Sequence, residues 1–248
     1  MASFRALYLL SLITCISYNS YSQVQEFVNF KYNGLLYDIV DLKLGSDDFN
    51  NFSILQFNNN ISEKKMYDSL AKQGPFFACS AALVDSNCSP IGLFVKNGLI
   101  VQSLNQQTGF GNFYLQPNGY YWLDSMGLGI HATNQYDITH HLNSAVQSGP
   151  MLVHNGAINI NFDSNSKNQN IRVGIGSYTK AGDTHFVFII SKGKVSFYDF
   201  AEIFFQKFNC KEALSLGGGN TATFHLPSAL MQYASNKSPC TIIYFKVN

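Results

Sequence analysis

The residue types best suited to chemistry gather in the stretch 210–228. There an apolar segment (Ala213, Leu214, Leu216) breaks into Gly217, Gly218 and Gly219 and leaves through Asn220, Thr221 and Thr223. Three consecutive glycines allow φ > 0 and let the backbone approach a ligand with no Cβ in the way. Successive N–H groups in such a turn can form an anion-binding concavity. The same residues also suit a tight, solvated turn between two core elements. Arg172 is the second feature, a lone cation inside the apolar, glycine-rich segment 171–176. An arginine so placed is either paired within the fold or positioned to grip a carboxylate or phosphate.

Other signals are weaker. Gly127 and Gly129 lack the third glycine of a dinucleotide loop. His140 and His141 are adjacent, whereas metal ligands on one helix face need i, i+4 spacing. His131, Asp137 and His140 meet around a metal only if the fold brings them together; no metal or other cofactor is expected. There is no serine nucleophile elbow, and Cys79 sits in an apolar run that reads as core.

The elements that must position these residues are mainly hairpins. Asn33-Gly34, Asn97-Gly98 and Asn118-Gly119 each lie between apolar, alternating runs, the pattern of a two-residue β-turn. Residues 62–73 predict a short helix with Ser62 as cap and Met66 and Leu70 on one face. Residues 139–146 read as a helical turn or two. Residues 199–210 predict the best helix, with Phe200, Ile203, Phe204 and Phe208 on one stripe. Strands are expected at 76–84, 171–177, 185–191 and 241–247. No βαβ rhythm repeats, so the expected fold is α+β, a mixed, mostly antiparallel sheet with a few helices.

The chain has 248 residues, 46% hydrophobic and 12% charged, with 21 Phe and 14 Tyr. That composition describes a packed, β-rich globular protein. A formal net charge of +1 leaves no basic footprint for nucleic acid. Residues 1–22 carry Arg5 and then an apolar run over 6–18, the pattern of a secretory signal peptide cleaved before Gln23. That run is too short for a stable membrane span, and lipidation at Cys15 is the alternative. Export to the periplasm or beyond is therefore expected, with residues 23–248 as one domain. Cys79, Cys88, Cys210 and Cys240 then permit three disulfide pairings, or stay free and buried.

Several further motifs occur in a telling order. They are Pro90-Ile91-Gly92-Leu93, Gly109-Phe110-Gly111-Asn112-Phe113, the run from Ala145 to Val153 (AVQSGPMLV), Arg172-Val173-Gly174-Ile175-Gly176, and 210–216 running into the glycines and Leu226-Pro227. From about Phe76 to Pro227 the chain resembles the phosphodiester glycosidase family, most closely its small exported bacterial branch. The resemblance implies hydrolysis of a sugar-1-phosphodiester, of the N-acetylglucosamine type, with a glycan or sugar phosphodiester as ligand. It implies a phosphate contact at Arg172 and a sugar pocket at Gln147, Ser148 and Gly149. Backbone N–H groups of Gly217, Gly218 and Gly219, with Thr221 beside them, would meet the leaving phosphate. Where the family carries Asp in Leu-Asp-Gly this chain has Gly217, and where it carries an Asn this chain has Ser80. Asp85 or Asp199 would then have to supply the carboxyl group. The other outcome is an inactive relative that binds an anionic glycan.

Overall fold

A computed structural model describes residues 24–44, 48–57, 62–124, 127–137, 142–228 and 240–247. The expected signal peptide, Cys15 and His140 lie outside these residues.

In chain order the strands begin with β1 (Val24–Tyr32), β2 (Leu35–Lys43) and β3 (Phe52–Gln56), followed by helix α1 (Glu63–Ala71). Next come β4 (Phe76–Ser80), β5 (Phe94–Lys96), β6 (Leu99–Gln102), β7 (Gly119–Asp124), β8 (Gly127–Ala132), β9 (Ser144–Ser148), β10 (Met151–His154) and β11 (Ala157–Ile158). The chain continues through β12 (Arg172–Lys180), β13 (Asp183–Ser191), helix α2 (Phe197–Glu202), β14 (Glu212–Gly218), β15 (Phe224–His225) and β16 (Thr241–Lys246). They form three sheets, in the orders β1-β2-β13-β12-β14-β10-β11, β15-β4-β16-β3 and β6-β5-β9-β7-β8. Every ladder between these strands is antiparallel. The fold is thus mostly antiparallel sheet, richer in strand than the expected α+β balance.

Side chains that alternate along a strand point to opposite faces, and here each face has its own cover. Val173, Ile175 and Leu216 of the seven-stranded sheet join Phe77 and Phe245 of the four-stranded sheet and Tyr121 and Val146 of the five-stranded sheet in one shared core. The opposite face of the seven-stranded sheet, with Ile39, Leu152 and Ile189, is covered by Phe200, Ile203 and Phe204. Helix α1 covers the back of the four-stranded sheet with Met66, Tyr67 and Leu70.

The Asn33-Gly34 and Asn97-Gly98 hairpins form as expected, joining β1 to β2 and β5 to β6. The third does not. Asn118 is buried, accepts a bond from Thr133 N at 2.9 Å on its carbonyl, and donates through Nδ2 to the carbonyl of Phe113. Gly119 instead opens β7, because a Cβ there would strike the Met151 side chain. Residues 139–146 are likewise not a described helix: β9 begins at Ser144 and carries Ala145 and Val146 into the core. The late helix begins earlier than the apolar stripe indicated, capped by Ser196, and continues as a π-helical turn over Ile203–Lys207. Cys88 and Cys240 form a disulfide, while Cys79 and Cys210 are free and buried.

Candidate active site

Strands β12 and β14 carry the two features that the sequence singled out, and the sheet places them side by side. Arg172 pairs with Gly218 and Val173 with Gly217, after which the register shifts so that Gly174 meets Ser215. Leu216 is the extra residue of this bulge, a device that re-aims neighbouring side chains. The glycines therefore extend a strand, and only Gly219 enters a turn, Gly219–Thr221.

A cavity of about 180 Å³ opens at this end of the sheet. Arg172, Ser215, Gly217, Gly218 and Gly219 form one part of its wall; Gly149, Leu83, Asn112 and Asn170 form the rest. Arg172 is 2% exposed. Its Nε donates to the Val195 carbonyl at 3.0 Å and its Nη2 to the Asn168 carbonyl at 3.1 Å. The guanidinium lies 3.4 Å above the centre of the Phe197 ring. A guanidinium has five N–H donors, so three remain without a protein partner among the described residues. No ion pair among those residues involves Arg172. Burial lowers its pKa to about 10, which leaves it charged at neutral pH. A buried charge without a counter-ion is costly, and an anion entering the cavity would remove that cost.

Ser215 is a wall residue that the sequence reading missed. It is 2% exposed, and its hydroxyl has no protein hydrogen bond among the described residues. The available signal was a polar residue interrupting the apolar strand two positions before the glycines. Asn112 is exposed at the rim.

The remaining expected site residues divide between support and absence. Ser80 accepts from Thr223 N at 3.0 Å and donates to the Thr221 carbonyl at 3.2 Å, and Thr221 Oγ1 donates to the Gly218 carbonyl at 3.2 Å. Both brace the glycine turn without lining the cavity. Gly219 N–H donates to the Ile171 carbonyl at 2.7 Å, so it is not offered to a ligand. The Gln147 amide accepts from Leu93 N and Asn105 N, both at 2.9 Å, and donates to the Asn105 carbonyl at 2.7 Å. The side chain, expected at a sugar contact, ties two loops to β9. Ser148 is fully buried in β9, opposite Gly119. Of that expected trio only Gly149 reaches the cavity.

The two carboxylate candidates are both engaged in local hydrogen bonds. Asp85 is exposed and closes its own turn, accepting from Asn87 N at 2.8 Å and Ser89 N at 2.9 Å, a common role for Asp. Asp199 sits in the first turn of α2 and accepts from Ser196 Oγ at 2.7 Å in a capping box. Neither lines the cavity, and no carboxylate is among its wall residues. His131 stacks on Trp122 with ring centroids 6.1 Å apart.

Comparison with known proteins places this geometry. The family model for phosphodiester glycosidase matches residues 70–242. The chain belongs to the phosphodiester glycosidase family. It is 35% identical over 141 residues to the Escherichia coli (strain K12) protein YigE, covering 57% of this chain. That span is 54% of YigE, so the chain matches about half the length of this relative. The catalytic domain of zebrafish N-acetylglucosamine-1-phosphodiester alpha-N-acetylglucosaminidase shares the fold, with a TM-score of 0.57 at 16% identity, covering 91% of this chain and 82% of that one. A hypothetical protein from Synechocystis aligns with a TM-score of 0.49 at 14% identity, over 90% of this chain and 62% of that one.

Proposed function

We propose that the protein is an exported hydrolase of the phosphodiester glycosidase type that cleaves a sugar-1-phosphodiester, with the phosphate held in the cavity at Arg172. The observation that carries this reading is the buried guanidinium, three of whose N–H groups have no partner among the described residues, on the wall of a glycine-framed cavity. At about 180 Å³ the cavity is smaller than the ~300 Å³ lower bound of whole small-molecule sites. It suits the phosphate end of the ligand, with the sugar projecting past Ser215 toward the rim at Asn112.

In the reaction a water oxygen bonds to the anomeric carbon as the bond from that carbon to the phosphate oxygen breaks. The electron pair leaves on the phosphate, and the water's proton passes to solvent or to that phosphate. A phosphate monoester has its second ionisation near pH 6, so it departs as an anion and needs charge stabilisation more than a proton. Arg172 supplies that stabilisation in a site of low dielectric. Export is supported by the N-terminal apolar pattern and by the Cys88–Cys240 bridge, which suits an oxidising compartment.

One observation favours a second reading, an inactive relative that binds an anionic glycan: among the described residues no carboxylate lines the cavity. A Cβ at Gly217 would meet only the Ser80 Cβ, at 3.8 Å, although φ of 142° strains any other residue there. The deciding experiment is hydrolysis of a chromogenic N-acetylglucosamine-1-phosphodiester by wild type, Arg172→Lys and Gly217→Asp. Turnover by wild type that Arg172→Lys greatly reduces supports the hydrolase. Phosphate binding without turnover, with hydrolysis appearing in Gly217→Asp, supports the binder and sinks the hydrolase.

A further inference from the structure

A larger cavity, about 320 Å³, is lined by none of the residues around Arg172. One wall is β3, where the consecutive residues Phe52, Ser53, Ile54 and Leu55 all line it. Side chains of one strand face alternate ways, so consecutive lining means that the strand's edge forms the wall. Among the described residues strand β3 ends its sheet and pairs only with β16. Its other edge therefore offers unpaired backbone donors and acceptors.

The opposite wall comes from the five-stranded sheet. It is built from Asn97 in the β5–β6 turn, Asp124 at the end of β7, and Asn143 and Ser144 where β9 begins. Asn50 and Phe49 close one side. The side-chain amides of Asn50, Asn97 and Asn143 have no hydrogen-bond partner among the described residues. Each amide offers both donors and an acceptor. The charges on the wall, Lys96 and Asp124, cancel.

We propose that this cavity binds a neutral saccharide, one sugar ring deep. Three exposed amides and a strand edge, all without a protein hydrogen bond among the described residues, match hydroxyls that both donate and accept, and Phe49 adds an apolar surface. A balanced wall gives no preference for an anion. The cavity holds about ten waters at ~30 Å³ each, comparable to one monosaccharide. The site is independent of the phosphate reading and would let the protein hold a glycan at a point apart from the cleaved bond.

The test is an amide-detected NMR titration of the full chain with glucose, galactose and N-acetylglucosamine, each to about 50 mM, and separately with inorganic phosphate; that range covers the millimolar affinities expected of a few hydrogen bonds. The sugars should move the side-chain amide signals of Asn50 and Asn143 but not those of Asn112. Asn143→Ala and Asn50→Ala should each weaken sugar binding roughly tenfold, one or two hydrogen bonds lost, while leaving phosphate binding and melting temperature unchanged. Asn97 is left intact because its φ of 51° is a turn conformation that alanine would strain. The proposal is overturned if none of the three sugars moves the Asn50 and Asn143 signals. It is equally overturned if they move only Asn112, or if both alanine variants bind sugar as wild type does.

Discussion

Arg172 and Gly218 stand opposite each other in the β12–β14 ladder, and the glycine is there because the two strands touch. A Cβ on Gly218 would run into the Ile171 carbonyl oxygen and lie 3.3 Å from the Arg172 Cα. The missing side chain thus serves strand contact first, and that contact fixes where the arginine backbone sits. Gly218→Ala should destabilise the protein by ~1–3 kcal/mol, as overpacking does, and weaken inorganic phosphate binding. A urea melt and a calorimetric titration measure the two effects.

Ser215 separates ligand contact from folding. Its hydroxyl has no protein partner among the described residues, so Ser215→Ala should leave the melting temperature within a degree or two. Affinity for N-acetylglucosamine-1-phosphate should fall about fivefold, one hydrogen bond of ~1 kcal/mol. Unchanged affinity would remove Ser215 from the site.

His225 should make stability depend on pH. It is buried against Phe76 and Tyr67, with ring centroids 4.2 and 5.2 Å away, and its Nδ1 has no partner among the described residues. Burial lowers its pKa to about 4, against ~6.5 when unfolded. Between those values the unfolded chain binds more protons, so stability rises with pH. The contribution is complete above pH ~6.5 and is lost as pH falls toward about 4, at most ~3 kcal/mol. In chemical denaturation at pH 4.5 and 7, His225→Phe should show a smaller difference than wild type.

The Cys88–Cys240 bridge closes a loop with a sequence separation of 152. Loop-closure entropy puts its stabilisation at no more than ~5 kcal/mol. Cys88→Ser should lower the melting temperature, and a reductant should lower it for wild type but not for the variant. In the native protein Cys79 and Cys210 should resist thiol reagents, because both are fully buried and burial raises both pKa values.

Local chemistry made much of this molecule legible in advance. Asn33-Gly34 and Asn97-Gly98 turn where that dipeptide favours φ > 0, and Ser62 caps α1. The Phe200, Ile203 and Phe204 stripe packs as its spacing indicates. The same local cues misled at Asn118-Gly119, because turn propensity gave way to the packing of Gly119 against Met151. Gln147, Ser80 and Thr221 were rightly seen as unusual polar residues in small-residue company. The bonds of Gln147 and Ser80 go to backbone groups of other segments, which spacing along the chain does not reveal, whereas Thr221 bonds back to the Gly218 carbonyl in its own turn.

The sequence by itself determined the family, two of the three expected hairpins and the helices α1 and α2, because each depends on residues close together in the chain or on a recognisable order of motifs. Only the tertiary structure shows that Arg172 has no acidic partner among the described residues, that Ser215 lines the same cavity, and that Asp85 and Asp199 are engaged in a turn and a helix cap. Those facts depend on the register of β12 against β14 and on which side chains the caps and turns consume. A long-range strand pairing sets the first and competition for hydrogen-bond partners sets the second, and neither is written in any single stretch of chain.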